Sequence, residues 1–196
     1  MMVLAAGAVS VLAWCGCNAG KAKGTVPIEE YHGGMAHQSI YAGKPRHATN
    51  IQAVASLEPA SGSEVRGTVL FFAEGNGVRV EGSISGLTPG RHGLHIHEKG
   101  DCSAPDASSA GGHFNPTAQP HGSPDADMHH LGDFGNVTAD ASGVATVSRV
   151  MTGLTLEGPD SIIGRALVVH ADEDDLHSQP AGNSGARVAC GVIQAK

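Results

Sequence analysis

From Val78 to Ile84 the chain alternates, with Val78, Val80, Gly82 and Ile84 on one side and Arg79, Glu81 and Ser83 on the other. A period of two lines one face of an extended strand and cannot line one face of a helix. Just before it, EGNG (74–77) reads as a hairpin turn, because Asn76-Gly77 adopts positive φ at low cost. Similar short apolar stretches cover Ile51–Leu57, Val65–Ala73, Arg91–Glu98, Val137–Ala139, Val144–Met151, Arg165–His170 and Arg187–Gln194, separated by turns such as LTPG (87–90). Eight strands with little helix predict an all-β fold, an eight-stranded Greek-key β-barrel or the related Ig-like sandwich. The high glycine count, 28 of 196 residues, suits such a loop-rich chain. One segment, Lys99–Gly132, shows no period, and structureless segments of that length are usually functional.

The first fifty residues read differently. Met1–Trp14 is apolar and about as long as the core of a signal peptide, too short for a comfortable membrane span. It lacks a basic leader. Cys15 and Cys17 follow, which resembles a bacterial lipoprotein signal with lipidation at one of the two cysteines. A plain signal peptide or a membrane tether are the alternatives. The expected organisation is therefore an export segment over 1–19, a flexible linker over 20–50 and a folded domain over 51–196. The linker is rich in Gly and Pro and holds His32, His37 and His47, either a solvated tether or an auxiliary metal-recruiting site.

Charge excludes one class of partner. Residues 51–196 carry eight basic and seventeen acidic side chains. An acidic domain with no basic run is a poor binder of nucleic acid.

The twelve histidines carry the chemistry. In His95-Ile96-His97, a strand would point both imidazoles the same way, toward one metal. The pair opens onto the aperiodic segment with His113, His121, His129, His130 and Asp133, and His170 ends a later strand. Imidazole is the commonest protein ligand for metal ions, and clustered imidazoles beside a carboxylate make a metal-binding donor set.

Five segments, HGLHIHEKGDC (92–102), GGHFNP (111–116), HHLGDFGNVTAD (129–140), IIGRALVVH (162–170) and GNSGARVACG (182–191), resemble the copper/zinc superoxide dismutases in order and spacing. The resemblance implies that His95, His97, His113 and His170 bind copper, and that His113, His121, His130 and Asp133 bind zinc. It implies that Asp174 hydrogen-bonds His95 and His121, that Cys102 and Cys190 form a disulfide, and that Arg187 positions the superoxide anion. It further implies one copper and one zinc per chain and conversion of superoxide to dioxygen and hydrogen peroxide. In that scheme copper alternates between two oxidation states and His113 carries a proton. His92, His129 and His177 are left as ordinary polar residues or partners of the ligands.

Two departures stand out. The stretch His177–Ala186 has no charged residue, so the steering device of the eukaryotic form cannot be carried over, and Lys99 is the candidate substitute. The loop from Cys102 to His113 is longer than in the eukaryotic form and resembles bacterial members, which leaves monomer and dimer both open. The expected location is the periplasm or cell envelope. The competing function is a non-enzymatic copper and zinc buffer or chaperone on the same fold.

Overall fold

A computed structural model describes residues 52–196. The predicted export segment, Cys15, Cys17, and the linker with His32, His37 and His47 lie outside the described residues. Eight strands follow in order: β1 (Ala53–Pro59), β2 (Arg66–Glu74), β3 (Gly77–Ser85), β4 (Gly90–His97), β5 (Asp133–Ala139), β6 (Ala145–Thr152), β7 (Ala166–His170) and β8 (Arg187–Ala195). A single 3₁₀ turn, Ser108–Ala110, is the only helical element among the described residues.

The strands close into a barrel in the order β1-β2-β3-β6-β5-β4-β7-β8, antiparallel throughout. Strand β3 pairs with β6, so the connection from β3 to β4 crosses over, as a Greek key requires. Closure gives every strand a neighbour on each side. The loosest seam lies between β5 and β6, which share one residue pair, Ala139 with Ala145.

Period two does the local work. In β3, Val78, Val80 and Ile84 are fully buried while Arg79, Glu81 and Ser83 turn outward or half outward. With Leu57, Phe71, Leu94, Ile96 and Ile193 they fill the barrel. Each large buried side chain contributes roughly 1.5–3 kcal/mol.

Two expectations need correction. The positive φ of the β2–β3 hairpin falls on Gly75 (φ +59°), not on Asn76-Gly77. Glu74 pairs with Gly77, which leaves Gly75 and Asn76 as the corner. Strand β5 starts at Asp133, four residues before the expected Val137. Its first half, Asp-Phe-Gly-Asn, has no β-branched residue and pairs with β4 through a register shift, with Gly135 at φ +71°.

Candidate metal centre

Strand β4 is buried on both faces. Leu94 and Ile96 point into the barrel, which leaves His95 and His97 on the outer face. There, at 0% and 1% exposure, the two imidazoles are covered by the aperiodic segment and by the loop after β7. Neighbouring β7 delivers His170 at its last residue, where the register with β8 shifts. His113 joins by an isolated bridge to His97, and Asp133 opens β5. Sequence-distant residues therefore converge because β4 sits between β5 and β7.

Two groups result. Ligand atoms of His95, His97, His113 and His170 lie within 4.8 Å of one another, as do those of His113, His121, His130 and Asp133. His113 belongs to both. All seven predicted ligands are in these groups; His92, His129 and His177 are not.

Hydrogen bonds determine which nitrogen faces inward. His95 Nε2 donates to Asp174 Oδ2 at 2.8 Å, and His121 Nε2 donates to Asp174 Oδ1 at 2.9 Å. His97 Nδ1 donates to the Gly111 carbonyl at 2.9 Å, and His170 Nδ1 to the Gly185 carbonyl at 3.3 Å. A neutral imidazole has one N–H, so engaging one nitrogen as donor leaves a lone pair on the other. His95 Nδ1, His113 Nε2 and His121 Nδ1 are buried without a hydrogen-bond partner. Buried polar atoms are rarely left so, and these unpaired lone pairs, which fall in both groups, fit cations. His97 Nε2 and His170 Nε2, 3.4 Å apart, face each other in the same way.

Asp133 organises the second group. Its Oδ2 accepts the backbone N–H of Gly122 and of His130, at 3.1 and 2.9 Å. That leaves Oδ1 facing His113 Nδ1, His121 Nδ1 and His130 Nδ1 at 2.8, 3.0 and 3.2 Å. The approach of His121 Nδ1 lacks hydrogen-bond alignment, as expected of two ligands turned toward a shared ion.

The two groups have different electrostatics. Burial pushes His97 down to about 2, His113 to about 4 and His170 to about 3. Burial also lowers His121, but hydrogen bonds to Asp133 and Asp174 outweigh it and raise the group to about 9. Asp133 and Asp174 are held well below the ordinary carboxylate range; burial opposes this, and their histidine partners win.

Beside the first group lies a cavity of about 490 Å³, lined by His97, His113, His170, Gln179 and Arg187 among others. Arg187 Nη1 donates to the Ala107 carbonyl at 2.6 Å and Nη2 to the Gly111 carbonyl at 2.7 Å. The Gly111 oxygen thus ties the guanidinium to His97. Burial lowers Arg187, and Asp106 opposes it. The predicted disulfide is formed, with Cys102 and Cys190 at a Cα separation of 5.8 Å. It fastens the loop before His113 to β8. Lys99 is exposed and does not line this cavity.

His92 has a structural place the sequence left open. It is 3% exposed and bonds the carbonyls of His170 and Thr88 at 3.0 and 2.8 Å, which ties the β3–β4 turn to β7. His129 Nδ1 bonds the His130 carbonyl at 2.7 Å, and His177 is exposed. Two further residues were missed. Asn136 donates to the Asp174 carbonyl at 2.9 Å and accepts the Asp174 N–H at 2.8 Å. Gln179 does the same to His121. No local pattern marks either one, because each partner lies tens of residues away.

A closed Greek-key barrel carrying a four-imidazole group and a three-imidazole, one-carboxylate group that share His113 defines a class, the β-barrel proteins with a paired-metal centre. A family model described as copper/zinc superoxide dismutase matches residues 65–193. The chain is also 45% identical over 150 residues to the extracellular Cu-Zn superoxide dismutase of Brugia pahangi, covering 72% of this chain and 74% of that one. The chain belongs to the copper/zinc superoxide dismutase family. It is a superoxide-dismutating oxidoreductase with copper and zinc as cofactors.

Proposed function

We propose that His95 Nδ1, His97 Nε2, His113 Nε2 and His170 Nε2 hold copper, and that His113 Nδ1, His121 Nδ1, His130 Nδ1 and Asp133 Oδ1 hold zinc. The observation that carries this assignment is the set of buried, unpartnered nitrogens, His95 Nδ1, His113 Nε2 and His121 Nδ1, whose opposite ring nitrogens are tied to Asp174 or Asp133. Copper supplies one-electron redox chemistry, and zinc supplies a fixed positive charge on the shared imidazole. Superoxide enters the cavity beside His97 and His170. Arg187, pinned by two carbonyls, orients the anion with a guanidinium that does not titrate. His113 Nδ1 faces Asp133 and Nε2 is left without a partner, so Nε2 is the atom that would carry a proton whenever it is not holding copper.

Residues 1–19 serve export, 20–50 are a linker and 51–196 form the enzyme domain. The apolar start followed by two cysteines supports delivery to the periplasm or envelope, with lipidation at Cys15 or Cys17 as a tether. The relative's extracellular description agrees with export. The long loop between Cys102 and His113 favours the bacterial exported type. The role that follows is protection of the envelope from superoxide.

Purified protein loaded with both metals tests the assignment. High dismutation at one copper and one zinc per chain supports it. Full occupancy without activity would favour a metal buffer or chaperone.

A further inference from the structure

The loop between β7 and β8 has no charged residue from His177 to Ala186, yet its side chains are not idle. Gln179 is an exposed residue, and an exposed glutamine in a polar loop ordinarily points its amide at water. Here every polar atom of the amide is turned to backbone. Oε1 accepts the His121 N–H at 2.8 Å, Nε2 donates to the His121 carbonyl at 2.9 Å, and Nε2 also donates to the His177 carbonyl at 3.1 Å. The first two bonds form a reciprocal clamp on one residue across 58 positions of sequence.

That residue needs a clamp. His121 is 3% exposed and sits in the aperiodic segment, away from any strand ladder. Its ring is oriented by Asp174 and faces Asp133. Ring contacts fix side-chain torsions but leave the backbone of an irregular loop free to shift. Gln179 is the hydrogen-bond partner of both backbone groups of His121 among the described residues. The same side chain lines the cavity that holds His97, His113, His170 and Arg187.

The geometry points to Gln179 as a positioning residue that sets the backbone of His121 from the wall of the substrate cavity, coupling the uncharged loop to the zinc side of the centre. This rests on the proposed assignment of His121 to zinc. Partners that orient a metal ligand typically contribute roughly 10- to 100-fold in metal affinity. The clamp therefore acts mainly on metal retention, with a smaller effect on the copper side.

The test uses the full chain with copper bound and cobalt(II) in place of zinc. The variants are Gln179→Met, which keeps volume and removes all three hydrogen bonds, and His177→Ala as a control in the same loop. The measurements are the visible absorption bands of cobalt and its rate of release to a chelator. The expected result is shifted bands and release at least about tenfold faster in Gln179→Met. His177→Ala should match the parent chain in both measurements, and copper content should be equal in all three proteins. Unchanged bands and release in Gln179→Met would overturn the clamp, and so would equal acceleration in His177→Ala. Failure of the parent chain to bind cobalt in a tetrahedral nitrogen and oxygen environment would instead overturn the zinc assignment beneath it.

Discussion

The two sides of the centre share His113 but are built from opposite partners. On the proposed copper side, His97 and His170 turn one nitrogen to neutral carbonyls and line an open cavity. On the proposed zinc side, three imidazoles surround Asp133, and His121 also bonds Asp174. Burial acts on both. With carbonyl partners it pushes His97 and His170 down, to about 2 and 3, whereas two carboxylates lift His121 to about 9. Burial is the largest influence on each imidazole: His113 falls to about 4 even with Asp133 as its partner, and only at His121 do two carboxylates together overcome it. Neutral imidazoles beside an opening suit a metal that meets substrate, and a carboxylate-filled closed cage suits one that is retained.

The largest effect is expected at Asp133. Asp133→Asn removes the charge that faces three imidazoles, and zinc affinity should fall by more than about 100-fold while copper remains bound. Metal analysis after dialysis against a chelator measures it, and equal loss of both metals would mean the sides are not separable. The complementary change is Arg187→Ile, which touches only the open side. Both metals should stay, and the dismutation rate should fall at least about tenfold. Full activity in that variant would remove Arg187 from its role.

Paired Cys102→Ser and Cys190→Ser changes probe how the open side is anchored. The bridge spans 88 residues, so the chain-entropy account puts its contribution at about 4–5 kcal/mol. Denaturant unfolding of the metal-loaded protein should show most of that loss.

Acid sharpens the contrast in the metal-free protein. His97, His113 and His170 are lowered in the fold, so between about pH 6.5 and 4 the unfolded chain binds more protons and stability falls as pH falls. His121 is raised and works the other way: its contribution is present below about pH 6.5 and is lost as pH rises through about 9. Three groups outweigh one, and metal-free protein should be at least about 2 kcal/mol less stable at pH 5 than at pH 7.5. A urea midpoint that rises on acidification would contradict this balance. The smallest effect is expected from Lys99→Glu. Lys99 is exposed and off the cavity wall, so the rate at low salt should change by less than about twofold.

Much of this centre was legible beforehand because its signals are local or carried by family motifs. An alternating strand announces itself in a few residues, and His95-Ile96-His97 needs only an extended backbone to place two rings side by side. Strand β5 was only half visible, since Asp133, Gly135 and Asn136 are poor strand formers and the segment is held in the sheet by pairing with β4. Asn136 and Gln179 were not visible at all. Each is an ordinary polar residue until the fold brings a backbone segment to its amide.

By itself, then, the sequence determined the strand pattern, the kinds of ligand and, through the motifs it shares with its family, which residues would meet. The tertiary structure alone decided the closed ring order, which nitrogen of each imidazole faces inward, and which side of the centre is open. Those features depend on hydrogen bonds and burial between residues distant in the chain, and such contacts exist only once the barrel has closed.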